Sequence, residues 1–300
     1  MTSIHLEYLT PKTVDELLGH LGDLGRKAKV IAGGTDLVPA MHRAKLDSGL
    51  EALVSLKQLP LRYIREAGPD LLIGAATTHT EVATSPTIRT YAPLLSTGCG
   101  KVGSLQIRNV ATIGGNVANA GPSADSSAPL MALGARLRLA SKARGTREVP
   151  IDQFYLGPSK SVLEPDEALV EIVVPKMTAR SAGLYEKFSP RSYMDLAWVG
   201  VAAVVTLDES LKSCADVRIG LSAVSPSPMR AAKAEEVIRG QAITDELIDR
   251  MAQTASEECN PNPRSRRVPA WYRREMVRTL TGRLFREAAG LVKAGASAGK

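Results

Sequence analysis

The sequence predicts an α+β fold built from more than one unit. Strand and helix patterns alternate without regular βαβ spacing, which argues against a doubly wound parallel sheet. A break at residues 175–182 divides the chain, and the segment beyond residue 230 reads as helix alone. At 300 residues, 44% hydrophobic and 23% charged, the composition is that of an ordinary globular protein with room for two domains.

The elements follow in chain order. Thr13-Val14-Asp15-Glu16 has the form of a capping box and opens a helix through about Leu21. Residues 29–32 form a short apolar strand that runs directly into a glycine pair. Residues 52–56, 63–66 and 71–75 read as strands, separated by turn signals at Leu59-Pro60 and Gly68-Pro69. Short helices are expected at 80–84, 91–95 and 128–134, and strands at 135–140 and 169–174. Past the break come strands at 184–188, 199–207 and 217–224, the last ended by Ser225-Pro226-Ser227-Pro228. Helices are expected at 231–239, 244–258 and about 269–293, with Pro261 and Pro263 between the last two. The low-complexity end, 294–300, reads as frayed.

Bulk features exclude several function classes. Cys99, Cys214 and Cys259 are widely spaced, with no CxxC or Cys/His cluster, so neither a disulfide framework nor a zinc or iron–sulfur site is expected in this chain. Residues 1–10 lack a signal-peptide pattern and no apolar run is long enough for a membrane span, so the expected location is the cytoplasm. The net charge of +7 is concentrated late in the chain, in Arg264, Arg266, Arg267, Arg273, Arg274, Arg278, Arg283, Arg286, Lys293 and Lys300. With little aromatic interleaving and no recognised motif, this stretch reads as a solvated helix face or a surface for an acidic partner, not as a nucleic-acid site.

Two glycine-centred motifs stand out, Ala32-Gly33-Gly34-Thr35-Asp36-Leu37 and Thr112-Ile113-Gly114-Gly115-Asn116. Successive glycines permit positive φ angles that turn several N–H groups toward one point, and such a nest suits a phosphate. Two nests suit a dinucleotide diphosphate. The first lies where a strand gives way to a loop and a short helix at 37–41. A plain tight turn with Asp36 as N-cap is the alternative for it. The second continues through Asn119, Ser123 and Asp125, polar side chains set among glycine and alanine, where backbone can approach a ligand closely. A surface loop rich in turn formers is the alternative there, although the apolar run 129–133 anchors the segment inside.

Gly98-Cys99-Gly100-Lys101-Val102-Gly103 matches G-x-G-x-x-G, but the Pro-interrupted segment before it is not the hydrophobic strand that a nicotinamide-binding fingerprint requires. It also fails as a P-loop, because Val102 follows Lys101 where Ser or Thr is needed. His5, His20, His42 and His79 share no metal-ligand spacing, and no nucleophile or metalloprotease motif occurs. Phosphate-sized nests without acid/base machinery point to a cofactor that carries the chemistry.

Together the motifs resemble those of the flavin-binding medium subunit of molybdenum hydroxylases, the family of carbon monoxide dehydrogenase and xanthine dehydrogenase. The AGGTDL and TIGGN segments match its two flavin motifs in order, and residues 116–125 extend the second match. Tyr185-Glu186-Lys187-Phe188-Ser189-Pro190-Arg191 with Asp195-Leu196-Ala197 matches the signature that opens the C-terminal domain. Ala270-Trp271-Tyr272-Arg273-Arg274 matches the closing helix. The likeness covers nearly the whole chain. At Thr35-Asp36 the carbon monoxide dehydrogenase relatives usually carry His-Ser, a departure from that substrate branch.

The resemblance implies a two-subdomain FAD-binding domain of the vanillyl-alcohol-oxidase (PCMH) type over residues 1–176, with subdomains at about 1–57 and 58–176. A small C-terminal α/β domain with an antiparallel sheet and helices would follow over 177–290, and a frayed tail over 291–300. It further implies that Ala32, Gly33, Gly34, Thr35 and Asp36, with Thr112, Ile113, Gly114, Gly115 and Asn116, hold the FAD diphosphate from two sides. Asp125 would bind ribityl or ribose hydroxyls, Leu169 and Val102 would make apolar contacts, and Lys187 would sit at the polar edge of the ring with Tyr193 nearby. There a cation would raise the flavin potential. Core packing is the alternative for Leu169 and Val102, and a surface ion pair for Lys187.

The implied partners are a large molybdopterin subunit and a small subunit with [2Fe–2S] clusters, in a dimer of heterotrimers. This chain would then pass electrons from the small subunit to an external acceptor. A free-standing flavoprotein oxidase of the same fold, or a non-enzymatic nucleotide- or nucleic-acid-binding module, are the competing readings.

Overall fold

The computed structural model describes residues 6–43, 49–191, 194–265 and 267–298. Its first sheet is parallel and small. Strand β1 (Glu7–Leu9), helix α1 (Val14–Leu24), strand β2 (Ala28–Ile31), helix α2 (Leu37–His42) and strand β3 (Ala52–Ser55) assemble with β3 in the middle, in the order β1-β3-β2. Thr13 caps α1 by accepting the Glu16 N–H at 3.1 Å. The Glu16 carboxylate reaches back to the N–H of Lys12 at 2.7 Å, one residue earlier than in a standard capping box. The helix passes Leu21 and stops at Gly25, whose φ of 52° is a left-handed geometry open to glycine. Leu17, Leu18 and Leu21 bury in a small core with Val54, Leu56, Leu59 and Leu61.

The second sheet is antiparallel, and the start of its strand β10 borders the cleft described below. In chain order come β4 (Ile64–Ala67), β5 (Asp70–Gly74), α3 (His79–Thr84), α4 (Pro86–Tyr91), α5 (Pro93–Gly100), α6 (Leu105–Val110), α7 (Ile113–Ala118) and α8 (Ser127–Leu133). They are followed by β6 (Arg136–Ser141), β7 (Gly145–Pro150), β8 (Tyr155–Gly157), β9 (Lys160–Ser161) and β10 (Glu167–Pro175). The order is β4-β5-β10-β6-β7, with β8 and β9 as a separate hairpin.

The fold differs from the sequence expectation at several points. The helix expected at 91–95 is two helices, because the residue before a proline disfavours helical geometry. Ala92 accordingly has φ −149° and ψ 55°, and Pro93 opens α5. Gly98, Cys99 and Gly100, which lie beyond the helix expected at 91–95, belong to α5. Strand β7 was not expected, because it is exposed along its length apart from Val149 and no apolar alternation marks it.

The third sheet, in the order β11-β12-β13-β14, is antiparallel. It consists of β11 (Ser181–Phe188), β12 (Val199–Leu207), β13 (Cys214–Ser222) and β14 (Met229–Arg230), followed by α9 (Ala232–Ile238), α10 (Asp245–Glu258) and α11 (Ala270–Ala298). Strand β12 is apolar at nearly every position because both its faces are covered. Val199, Val201, Ala203 and Val205 join the core made with α9, α10 and α11, while Ala202 joins the core of the second sheet and its helices. Helix α8 is buried at every residue, and a Cβ on Gly220 of β13 would lie 2.1 Å from the Ala128 carbonyl oxygen, so helix and strand touch backbone to backbone.

Part of the basic C-terminal charge is paired within the chain. Arg278 pairs with Glu275, Arg283 with Glu186, and Arg286 with Asp245 and Asp249. Helix α11 continues to Ala298, across most of the segment 291–300 expected to fray. Among the described residues, no helix is long and apolar enough to cross a membrane, and all three cysteines are buried and free.

Candidate functional site

A cleft of about 1360 Å³ is bordered by the first sheet, α2, the segment 102–125, the β8–β9 hairpin and the start of β10. That exceeds the ~300–1,000 Å³ typical of a pocket for a drug-sized molecule. Of the residues proposed from sequence, Ala32, Gly33, Gly34, Thr35, Asp36, Val102, Thr112, Gly114, Gly115, Asn116, Asp125 and Leu169 line it. Ile113 does not: its side chain is fully buried in the core. Lys187 lines a small adjoining cavity of about 30 Å³ instead. Tyr193 lies outside the described residues.

The first glycine motif leaves its donors unspent. Strand β2 ends at Ile31, whose carbonyl accepts the Leu56 N–H at 2.9 Å, and the chain then leaves the sheet. Gly34 takes φ +71°, a left-handed geometry, and a Cβ there would meet only the Val38 and Ile31 side chains, the nearest atom at 3.2 Å. Among the described residues, the N–H groups of Gly33, Gly34, Thr35 and Asp36 have no hydrogen-bond partner, and all four residues border the cleft. Gly33 is glycine for another reason: a Cβ would stand 2.0 Å from the Val110 carbonyl oxygen. Asp36 precedes α2 without making a side-chain cap, so the N-cap alternative does not apply.

The second motif is built the other way, which corrects its reading as a nest. Neither Gly114 nor Gly115 has a positive φ. Ile113 donates to the Thr77 carbonyl at 2.9 Å, Gly114 to that of Ala75 at 3.0 Å and Asn116 to that of Thr112 at 3.0 Å. Gly115 donates to Thr112 Oγ1 at 3.0 Å, so Thr112 is the N-cap of α7. Absence of a side chain is required because a Cβ on Gly114 would lie 2.5 Å from the Ala75 oxygen, and one on Gly115 2.9 Å from Thr112 Oγ1. What this motif offers the cleft is side-chain chemistry. Asn116 uses Oδ1 to accept from Ser126 at 2.6 Å, its amide donors have no partner among the described residues, and Asn119 and Ser123 line the cleft beside it.

Asp125 is engaged by the protein on both carboxylate oxygens. Tyr185 donates to Oδ1 at 2.9 Å and Lys187 to Oδ2 at 2.7 Å, and a second Lys187 N–H goes to the Lys101 carbonyl at 3.0 Å. Both side chains of the ion pair are 7% exposed, so the surface-pair alternative for Lys187 is wrong in kind: the pair is buried. Burial pushes the Asp125 carboxyl up from its ordinary value, opposed by the Lys187 ammonium, the Tyr185 hydroxyl and Lys101.

Leu169 sits at a bulge in the β10–β6 pairing, between Leu169 and Glu171, and is buried while bordering the cleft. A bulge re-aims a side chain next to a site. Val102 ends a turn clamped by Arg108, whose Nη1 donates to the Val102 carbonyl at 3.0 Å and that of Gly103 at 3.3 Å.

Sequence reasoning missed Lys29, Ile107 and the hairpin residues Ser159–Ser161, all of which line the cleft. Gly157-Pro158 was a legible turn signal for that hairpin. Ile107 and Lys29 carried none, because what brings them to the cleft is long-range packing.

Comparison with known proteins bears on the whole chain. Residues 3–177 match the model of the FAD binding domain in molybdopterin dehydrogenase, and residues 185–288 that of the CO dehydrogenase flavoprotein C-terminal domain. The chain is 34% identical to the carbon monoxide dehydrogenase medium chain of Hydrogenophaga pseudoflava, over 85% of this chain and 87% of that one. It is 31% identical to a putative xanthine dehydrogenase FAD-binding subunit of Escherichia coli, over 94% and 95%. The solved carbon monoxide dehydrogenase of H. pseudoflava contains a chain similar to this one, with a TM-score of 0.90 over 97% of this chain and 99% of that one at 34% identity. Quinoline 2-oxidoreductase of Pseudomonas putida gives 0.87 over the same shares at 27% identity.

Proposed function

The chain belongs to the family of FAD-binding medium subunits of molybdenum hydroxylases, and we propose that in such a complex it relays electrons from a [2Fe–2S] subunit to an external acceptor. The observation that carries this reading is the cleft itself, which has the size for a dinucleotide and presents four unspent backbone donors from residues 33–36. An anion at those N–H groups is stabilised without any charged side chain. Bound FAD supplies a carrier that exchanges one or two electrons, chemistry that amino-acid side chains lack.

The chain's own residues bind and orient that group. The backbone of 33–36 takes the diphosphate, Asn116, Asn119 and Ser123 offer directional contacts, and Leu169 and Val102 give the ring an apolar wall. Lys187, held by Asp125, sets the charge near the ring's polar edge. In this reading residues 1–176 hold the cofactor as two subdomains, 1–57 and 58–176, and residues 177–290 close over them. The organic substrate is oxidised on a large molybdopterin subunit, and the assembly is a dimer of heterotrimers. Relatives of similar identity are named for carbon monoxide, xanthine and 6-hydroxypseudooxynicotine, which supports placing substrate choice outside this chain.

The test is an absorbance spectrum of the native complex, with mass spectrometry of the released cofactor, metal analysis and gel analysis of companion chains. FAD together with large and small partners, molybdenum and iron is the expected result. Rapid mixing with the organic donor should bleach the flavin only when the iron–sulfur subunit is present. Turnover of a donor by the isolated chain would favour a self-contained oxidase, and absence of flavin would overturn the reading.

A further inference from the structure

Tyr185 has no part in the cofactor reading above, yet its surroundings give it one. The residue is 5% exposed, and its hydroxyl donates to Asp125 Oδ1 at 2.9 Å. Lys187 stands two positions along β11 and so on the same face of the strand. One strand therefore holds both oxygens of one carboxylate, which lies at the end of the cleft-lining segment 111–125. Lys187 spends a further donor on the Lys101 carbonyl and keeps one N–H for the small cavity it lines.

Resting on the reading that FAD occupies the cleft, we propose that Tyr185 is a positioning residue. By donating to Asp125 it keeps that carboxylate ionised and turned toward Lys187, and so sets how much of the Lys187 charge reaches the cofactor. An ammonium at 2.7 Å from a carboxylate acts at a distance as a dipole, far weaker than a lone cation. Protonation of Asp125 would unmask the full positive charge. The other groups facing Asp125 do not replace the Tyr185 bond. Cys99 is buried and burial pushes its thiol up, so it stays neutral. The Lys101 ammonium lies over the Tyr185 ring at 5.7 Å from its centroid, and no hydrogen bond joins it to Asp125 among the described residues.

The experiment compares the assembled holo-complex with its Tyr185→Phe variant, which keeps the ring and removes only the donor. The flavin midpoint potential is followed as a function of pH. A hydrogen bond to a charged group is strong enough that its loss should shift the Asp125 titration upward by about one pH unit. Flavin reduction takes up protons, so the potential rises on acidification in both proteins, and the variant's curve should depart upward from that common slope at a higher pH. In an Asp125→Asn background, Tyr185→Phe should add nothing, because the effect passes through that carboxylate.

A purely structural tyrosine would lower the melting temperature and leave the potential–pH profile in place, and that result overturns the proposal. Should Asp125→Asn fail to assemble, infrared titration of the protonated-carboxyl band in the native and Tyr185→Phe complexes distinguishes the same two cases. An upward shift supports the proposal and an unchanged titration overturns it. A complex without flavin would overturn the cofactor reading and this inference together. A flavin-bearing complex with an unaltered profile would overturn this inference alone.

Discussion

In residues 33–36 the backbone N–H groups are left over, whereas in residues 113–116 every one is spent on the protein. Both segments read as paired glycines beside small polar residues, and both border the same cleft. Glycine answers two unrelated needs: a left-handed φ, or zero clearance for a side chain. Gly34 meets the first, with φ +71°, and Gly33, Gly114 and Gly115 meet the second. The difference teaches that a glycine pair alone does not make an anion nest. One motif presents donors, and the other is packed backbone that holds the wall in place.

The sharpest way to break that comparison is Gly114→Ala. The new Cβ would lie 2.5 Å from the Ala75 oxygen and 2.7 Å from its Cα. Ala75 cannot yield easily, since its N–H is bonded to the Val170 carbonyl at 3.0 Å and its oxygen to Gly114 itself. Overpacking against backbone should cost about 3 kcal/mol or more. Thermal unfolding with and without added FAD is the check, and the melting temperature should fall by a similar amount in both. A variant as stable as the native chain but unable to keep FAD would restore the second motif to nest status.

How much of this was legible in the sequence follows from the range of the forces involved. Caps, turns and strands are set by neighbours in the chain, so the Thr13 cap, the break before β11 and the apolar run of β12 could be read directly. The Val110 oxygen beside Gly33 and the Ala75 oxygen beside Gly114 are tertiary contacts, and no local pattern announces them. The same holds for Asp125. Its type and position suggested a ligand for sugar hydroxyls, while the fold brings Tyr185 and Lys187 across from β11 to occupy both its oxygens. Family likeness carries tertiary information that periodicity lacks, and of the residues it alone suggested, Val102 and Leu169 border the cleft while Lys187 faces the adjoining cavity.

A smaller effect tests whether the second region is as dry as its spent donors imply. His79, at the start of α3, is fully buried, and its two ring nitrogens have no hydrogen-bond partner among the described residues. Its backbone N–H donates to the Ala111 carbonyl at 3.0 Å, directly before the second motif. Burial, with Arg108 nearby, lowers its pKa from 6.5 to about 4. The folded pKa lies below the unfolded one, so the unfolded chain binds the proton first and stability falls with pH between those values. The loss should reach about 3 kcal/mol near pH 4 and be absent above pH 7. Melting temperatures across that range for the native chain and for His79→Leu should converge at neutral pH and separate in acid, with the variant losing less. Parallel curves would mean that water reaches the imidazole.

The mildest change probes the first motif. Gly34→Ala should cost only about 1–2 kcal/mol of stability, the strain of an L-residue at left-handed φ, because the nearest obstacle is the Val38 side chain at 3.2 Å. Its effect on FAD should be larger than its effect on folding. Relaxing that φ turns the unspent N–H groups of Gly33, Gly34 and Thr35 away from their common direction, and affinity should drop about tenfold for each donor lost to a charged oxygen. Gly34→Asn separates the two physical causes, since asparagine tolerates left-handed geometry better than alanine but is larger. Retention of FAD in the order Gly, Asn, Ala would assign the effect to φ. The order Gly, Ala, Asn would assign it to volume beside Val38, and the first glycine pair would then be a packing device like the second.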